Sequence, residues 1–167
     1  MIRVAADEDW TAILEVHRLA FGAEQDVPRL CEELRDGGFV VSFLSFVSLD
    51  GSRIAGHTMS SWVEVEGSDR RLLQLSPLGV LPELQRRGHG SALVRASLDG
   101  ARELGEQLLL VEGSPAYYGR FGFVRADELG LLPPPEALYD WAFQVAVLDE
   151  GVELPQGRVV YPEPFRH

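Results

Sequence analysis

Leu78-Gly79-Val80-Leu81-Pro82-Glu83-Leu84-Gln85-Arg86-Arg87-Gly88-His89-Gly90-Ser91-Ala92-Leu93 decides the fold. Its first residues end an apolar run that starts at Leu72 and reads as a strand. Its last ones open a helical stripe of Leu93, Val94, Ser97, Leu98, Ala101 and Leu104, which Gly105 ends. Between them, two glycines let a backbone approach a ligand closely, and the N–H groups of a first helical turn point outward at the positive end of the helix dipole. Such a turn binds anions, and Arg86 and Arg87 add positive charge there, so diphosphate is the expected guest.

Outward from this segment, the spacing predicts a helix on each side of a three-stranded meander. Ile2 to Ala5 is β-prone, and Asp7, Glu8 and Asp9 suit the first turn of a helix carrying Trp10, Ile13, Leu14, His17 and Phe21 up to Gly22. Val27, Leu30 and Leu34, stopped by Gly37-Gly38, form a second, shorter helix. Phe39 to Leu49 reads as a strand, Asp50-Gly51 as a hairpin turn, Ile54 to about Glu66 as the next strand, and Leu72 to Val80 as the third. Past the crossover helix, Gln107 to Val111 is a continuous apolar strand, of the kind buried on both faces and parallel to the strand before the crossover. Tyr117 to Arg120 allows one helical turn, and Phe121-Gly122-Phe123-Val124 begins another strand. Trp141, Phe143, Val145 and Val147 alternate over a last one, before a tail from Asp149 to His167 that is rich in Gly and Pro. The expectation is an α+β fold, a mixed sheet in a single domain over residues 1–167. Trp10, Trp62 and Trp141 read most simply as core residues, with Trp62 the one that could also line a ligand pocket.

The 167 residues leave no room for two full domains. With 15 Lys+Arg against 26 Asp+Glu the net charge is -11, a field that repels nucleic acid and anionic membranes, so neither is an expected partner. No stretch is long and apolar enough for a signal peptide or a spanning helix. Cys31 is the single cysteine, which excludes an internal disulfide and fits a reducing cytoplasm. The four histidines, His17, His57, His89 and His167, lack metal-ligand spacing, so no metal is expected. His17 reads as a hydrogen-bonded, half-buried residue of the first helix.

Three nucleotide motifs compete for the glycine segment. A Walker A loop needs Gly-Lys-Ser/Thr, which is missing. The dinucleotide fingerprint is approached by Gly88-x-Gly90 with Glu112 about 20 residues on. However, Leu93 stands where its third glycine belongs, and seven residues separate Val80 from Gly88. The third, Gln/Arg-x-x-Gly-x-Gly/Ala, fits at each defined position.

In this context, Leu78 to Leu93 resembles the acetyl-CoA-binding segment of GNAT-superfamily N-acetyltransferases. Tyr118-Gly119-Arg120-Phe121-Gly122-Phe123 is similar to that superfamily's second landmark, a Tyr four residues before a Gly-Phe pair. Pro115 to Phe123 together with Gly157-Arg158-Val159-Val160-Tyr161-Pro162 resembles a bacterial acetyltransferase subgroup. The resemblance implies a GNAT-like, mostly antiparallel sheet flanked by helices and splayed between its fourth and fifth strands, Leu72 to Val80 and Gln107 to Val111. It further implies acetyl-CoA as cosubstrate, with the Leu78 and Val80 backbone pairing with pantetheine and one N–H facing the thioester oxyanion. Gln85, Arg86, Arg87, Gly88, His89 and Gly90 would hold the pyrophosphate, and Tyr118 would be the acid for the departing thiolate. Tyr117 is a neighbour on another face.

An attacking amine must also lose a proton. Glu112, ending the fifth strand, is the best-placed base, ahead of Glu64, Glu66 and Glu83; the subgroup carries an uncharged residue there. Relatives often place an Asn before the Tyr-bearing helix. This chain has no Asn, which leaves the backbone around Gly113 and Ser114 for that duty. The expected function is N-acetyl transfer to a small-molecule or peptide amine, and a homodimer is compatible with it. A silent CoA-binding sensor or scaffold and a small dinucleotide-binding protein are the alternatives.

Overall fold

Alternating and continuous apolar runs set the strands, and glycines at positive φ, among them Gly22, Gly51, Gly67 and Gly105, set several of the stops. The computed structural model describes residues 1–151 and 153–166; His167, one of the four histidines considered for metal, lies outside them. Along the chain run β1 (Ile2–Val4), α1 (Trp10–Phe21), α2 (Val27–Asp36), β2 (Phe46–Asp50), β3 (Arg53–Val65), β4 (Arg71–Val80) and α3 (His89–Leu104). They are followed by β5 (Leu108–Glu112), α4 (Pro115–Tyr118), β6 (Val124–Arg125), β7 (Leu131–Leu132), β8 (Phe143–Val147) and β9 (Gly157–Val160). The chain divides into two compact units, and β3, β4 and α3 each run through both.

The first unit comprises Met1–Ser61 and Ser76–Gly100. β1 pairs antiparallel with β2, and β2 with the start of β3, in the register Ile2↔Ser48 and Val47↔His57. A 3-10 turn at Asp7–Asp9 leads into α1; the buried Asp9 carboxylate accepts the Ala6 N–H at 2.7 Å and pairs with Arg3 at 2.6 Å. Val16 of α1 packs with Ala55, Leu81 and Leu84 in a small core cluster. Phe39 to Leu49 is not one strand. Only Val40 bridges, to Ser61, and Ser42–Leu44 is a 3-10 turn before β2 begins at Phe46. The turn buries Val41 and Leu44, and Leu44 lies against Gly100, where a side chain would collide with it. An apolar run this short satisfies a strand or a packed turn equally well.

The second unit comprises Trp62–Leu75 and the described residues of Ala101–His167. β5 lies between β4, parallel, and β8, antiparallel, and all of Leu108, Leu109, Leu110 and Val111 are buried. The ladder from β4 to β5 covers only Leu73↔Leu109 to Leu75↔Val111. Pro77 follows two residues later and has no N–H to donate to any ladder. The expected parallel pairing and its early stop are thus both present. Phe143, Val145, Leu108, Leu110, Leu72 and Tyr161 anchor the core of this unit. The tail contributes a strand that the sequence does not announce: β9 pairs antiparallel with β3 and parallel with β7. The expected strand from Phe121 begins only at Val124, because Gly119–Phe121 stays in a 3-10 turn that Gly122 closes at φ 93°. Leu104, at the end of the α3 stripe, and Trp141, stacked on Tyr139, are exposed and not core.

Candidate active site

In the first unit, β4 hands the chain to the glycine segment through a 3-10 turn at Pro82–Leu84, whose Leu84 is buried. Gln85 donates its side-chain amide to the Val80 carbonyl at 3.1 Å, clamping the loop onto the strand end. Arg86 adopts φ 63° and Gly88 φ 91°, both left-handed, and α3 starts at the next residue. A β-carbon is strained at such a φ, so Gly88 is needed for backbone shape. The Arg86 and Arg87 side chains are exposed beside a first turn whose N–H groups have no intrahelical acceptor. The His89 ring hydrogen-bonds through Nδ1 to the Ser48 hydroxyl of β2, which ties the helix start to that strand. Leu78, Val80 and residues 85–90 are therefore contiguous in one unit.

Tyr118 and Glu112 belong to the second unit. Ser114 caps α4, its carbonyl accepting the Tyr118 N–H at 2.9 Å, and Pro115 occupies the first turn, where a missing N–H costs nothing. Tyr118 is 8% exposed, edge-on to Phe123 at 5.6 Å and to Tyr117 at 5.0 Å. Burial, and then the neighbouring Tyr117, push its phenol pKa well up, so it stays protonated. Tyr117 is half-buried, with the Arg120 guanidinium 4.9 Å from its ring. A β-carbon on Gly113 would stand 2.5 Å from Cε2 of Tyr118, so Gly113→Ala must move that ring. If Tyr118 has the acid role that the resemblance implies, steady-state turnover of G113A should fall by roughly tenfold or more, the scale of a displacement below an ångström at a reacting group. Unchanged turnover would free Tyr118 from any catalytic duty that depends on its position.

Glu112 is more engaged than a lone carboxylate. Its Oε1 accepts the Leu138 N–H at 3.1 Å, and its Oε2 accepts the Tyr161 hydroxyl at 3.1 Å, while Gln74 donates to that phenol at 2.9 Å. Burial and then Glu112 raise the Tyr161 pKa, which keeps its proton in this bond. Sequence reasoning missed Tyr161 as a partner, although it sits in the Gly157 to Pro162 stretch that carried part of the resemblance. Gln144, also not foreseen, donates to the Gly113 carbonyl at 3.0 Å, and Gly113 donates its N–H to Ala142. The other acidic candidates are solvated: Glu64 and Glu66 are exposed, and Glu83 pairs with Arg53 at 2.7 Å. No group of three or more His, Cys, Asp or Glu could hold a metal among the described residues, and no described helix is long and apolar enough to cross a membrane.

The family model for the acetyltransferase (GNAT) domain matches residues 1–126. The uncharacterized N-acetyltransferase YhbS of Escherichia coli (strain K12) is 32% identical to the chain, over 99% of this chain and 98% of YhbS. The crystal structure of Escherichia coli YhbS in complex with CoA is similar at a TM-score of 0.88 and 31% identity, over 100% of this chain and 92% of that one. A GNAT family acetyltransferase from Brucella melitensis in complex with acetyl-CoA is similar at a TM-score of 0.81 and 27% identity, over 99% and 97% of the two chains.

Proposed function

Because the chain belongs to the GNAT family of N-acetyltransferases, we propose that it moves the acetyl group of acetyl-CoA to a primary amine by direct attack on the thioester. The observation that carries this reading is the anion-binding turn: Arg86 and Gly88 at positive φ, the amino end of a 16-residue helix, and a preceding strand whose ladder to β5 stops at Leu75. Relatives bound to CoA and acetyl-CoA support the same cosubstrate.

In this reading the pyrophosphate rests on the first-turn N–H groups of α3 and on Arg86 and Arg87. Gln85 shapes the loop, and His89 and Gly90 present backbone. The main chain of Leu78 and Val80 pairs with pantetheine as an added strand, and one of its N–H groups stabilises the oxyanion that forms when the amine attacks. Tyr118 protonates the thiolate as the tetrahedral intermediate collapses. Glu112 takes the amine's proton on a remaining lone pair, since each carboxylate oxygen has two and the structure fills one on each. The acceptor is a small-molecule or peptide amine, and the proposed setting is the cytoplasm.

An amine-panel assay for release of free CoA tests the transfer; acetyl-CoA binding with no acceptor across the panel would favour a silent sensor instead. For the loop, replacing Gly88 by Val should weaken acetyl-CoA binding, because a β-branched residue at φ 91° must rebuild the turn. Arg86→Ala with Arg87→Ala should cost roughly tenfold in affinity per guanidinium at low salt and less at high salt. Calorimetric titration decides both. Wild-type affinity in these variants would remove the pyrophosphate from this loop.

A further inference from the structure

Two histidines that none of the steps above uses are sealed into the first unit. His17 on α1 and His57 on β3 are both 0% exposed. His17 Nε2 is 2.8 Å from His57 Nδ1, and His57 Nε2 is 2.9 Å from the Ser45 hydroxyl. The His17 ring also stacks on Phe21, which sets its tilt. Burying two imidazoles in place of two leucines costs desolvation that the two hydrogen bonds only partly offset. At the inner end of this chain, His17 Nδ1 is buried without a hydrogen-bond partner among the described residues.

The proton pattern follows from that orphan. With Nε2–H on both rings, His17 donates to His57, His57 donates to Ser45, and Nδ1 of His17 is left as an unused lone pair. The opposite tautomers would leave a buried N–H without an acceptor, the rarer and costlier defect. Burial holds both rings neutral, lowering His17 to about 4 and His57 well below its ordinary value.

That lone pair faces Gly79 of β4. A β-carbon on Gly79 would stand 2.8 Å from Nδ1 and 3.1 Å from Cε1 of His17. Gly79 is not among the glycines at positive φ, so the position requires glycine for space and not for backbone shape. The imidazole fills the volume a side chain would otherwise take. Its place there is set by a directional chain and not only by packing. Leu78 and Val80, on either side of this contact, are the residues assigned above to the pantetheine arm.

We propose that the Ser45–His57–His17 chain positions the cofactor strand, His17 standing in for the side chain Gly79 lacks and holding the main chain of Leu78 and Val80 in its acetyl-CoA-binding pose from behind. The proposal rests on that assignment of Leu78 and Val80. His17 and His57 are thus positioning residues, acting through the strand and not on the thioester.

Acetyl-CoA titration calorimetry on the full chain tests it, with a thermal melt of each variant to confirm folding. His17→Leu fills the space but breaks the chain and should weaken binding by roughly tenfold or more. His17→Gln, whose amide nitrogen can donate to His57 as Nε2 does, should return affinity to within about threefold of wild type. Gly79→Ala, intruding on Nδ1 from the strand side, should weaken binding like His17→Leu. In the wild type, imidazole ¹⁵N spectra should show His17 Nδ1 unprotonated, with its resonance moving when acetyl-CoA is added, a readout that does not depend on any variant folding.

Wild-type affinity in His17→Leu or Gly79→Ala overturns the proposal. So does a His17→Gln as weak as His17→Leu, or an Nδ1 resonance that is protonated or unmoved by acetyl-CoA. A wild-type chain that binds no acetyl-CoA at all overturns the cofactor-strand assignment itself. Binding that responds to Gly88→Val but ignores His17 overturns only the positioning role.

Discussion

Tyr118→Phe should turn over roughly 10²- to 10⁴-fold more slowly than the wild type, the usual scale of a lost proton-transfer group. Acetyl-CoA affinity should survive, because the ring is kept and so are its edge-on contacts with Phe123 and Tyr117. The direction of the pKa shift bears on how the step must occur. A free thiol titrates near 8.5 and an ordinary phenol near 10, and burial raises Tyr118 further. A full transfer to an already formed thiolate is therefore uphill, and in the proposed role the phenol would donate in concert with C–S cleavage while negative charge is growing on sulfur. Tyr117→Phe is the internal control and should stay within a few-fold of wild type, since adjacent helical residues face different directions. Measured kcat for the pair, on any acceptor found, settles the register. Normal turnover by Tyr118→Phe with a dead Tyr117→Phe would shift the acid by one residue; two normal enzymes would leave thiolate departure without a protein acid.

Acid should unfold the protein early and steeply. In the unfolded chain both His17 and His57 titrate near 6.5, whereas burial, the first cause for each, lowers them in the folded state, His17 to about 4. Their contribution is intact above the unfolded value and is lost as pH falls below it, because the unfolded state then binds protons the folded state refuses. Two such groups make stability fall by about 2.7 kcal/mol per pH unit once pH is well below 6.5, until His17 itself protonates near 4. Asp9 faces His57 from the turn before α1, and its negative charge opposes part of the His57 shift. Asp9 is itself lowered by its bond to Arg3, so its stabilisation persists through this window and fails only at lower pH. Urea unfolding at about pH 7 and about pH 5 measures the slope, and His17→Gln should remove one of the two groups and roughly halve it. A stability that is level over that interval would mean the rings are not both neutral and buried.

Much of the fold, and the backbone setting of the candidate site, was legible because it is local. The bounds of α3, His89–Leu104, follow from glycines on either side and an unbroken helical stripe, and the loop proposed to hold the pyrophosphate was singled out by the same glycines and arginines. The apolar β5 declared its burial on both faces. Pro77 carried a further signal, since a residue without an N–H two places past the last paired residue of β4 announces where that ladder must stop. Phe39 to Leu49 misled because apolar content alone does not separate an extended strand from a turn packed against Gly100. β9 was hidden in a tail of glycine and proline because it pairs with β3 and β7, both distant in sequence.

Sequence alone determined the elements whose causes lie within a few residues of one another: the strand, the glycine turn before α3, the helix behind it, and the spacing of Tyr118 from Gly122. Only the tertiary structure decided the states of the polar groups. His17 and His57, 40 residues apart, become a neutral buried pair because β3 brings one beneath the helix that carries the other. Glu112 gains Tyr161 from 49 residues away, which turns an acid at a strand end into the tie for a loop and the tail. Dihedral preference and helical periodicity are local properties of a chain, whereas desolvation and hydrogen-bond satisfaction depend on what distant segments place alongside it.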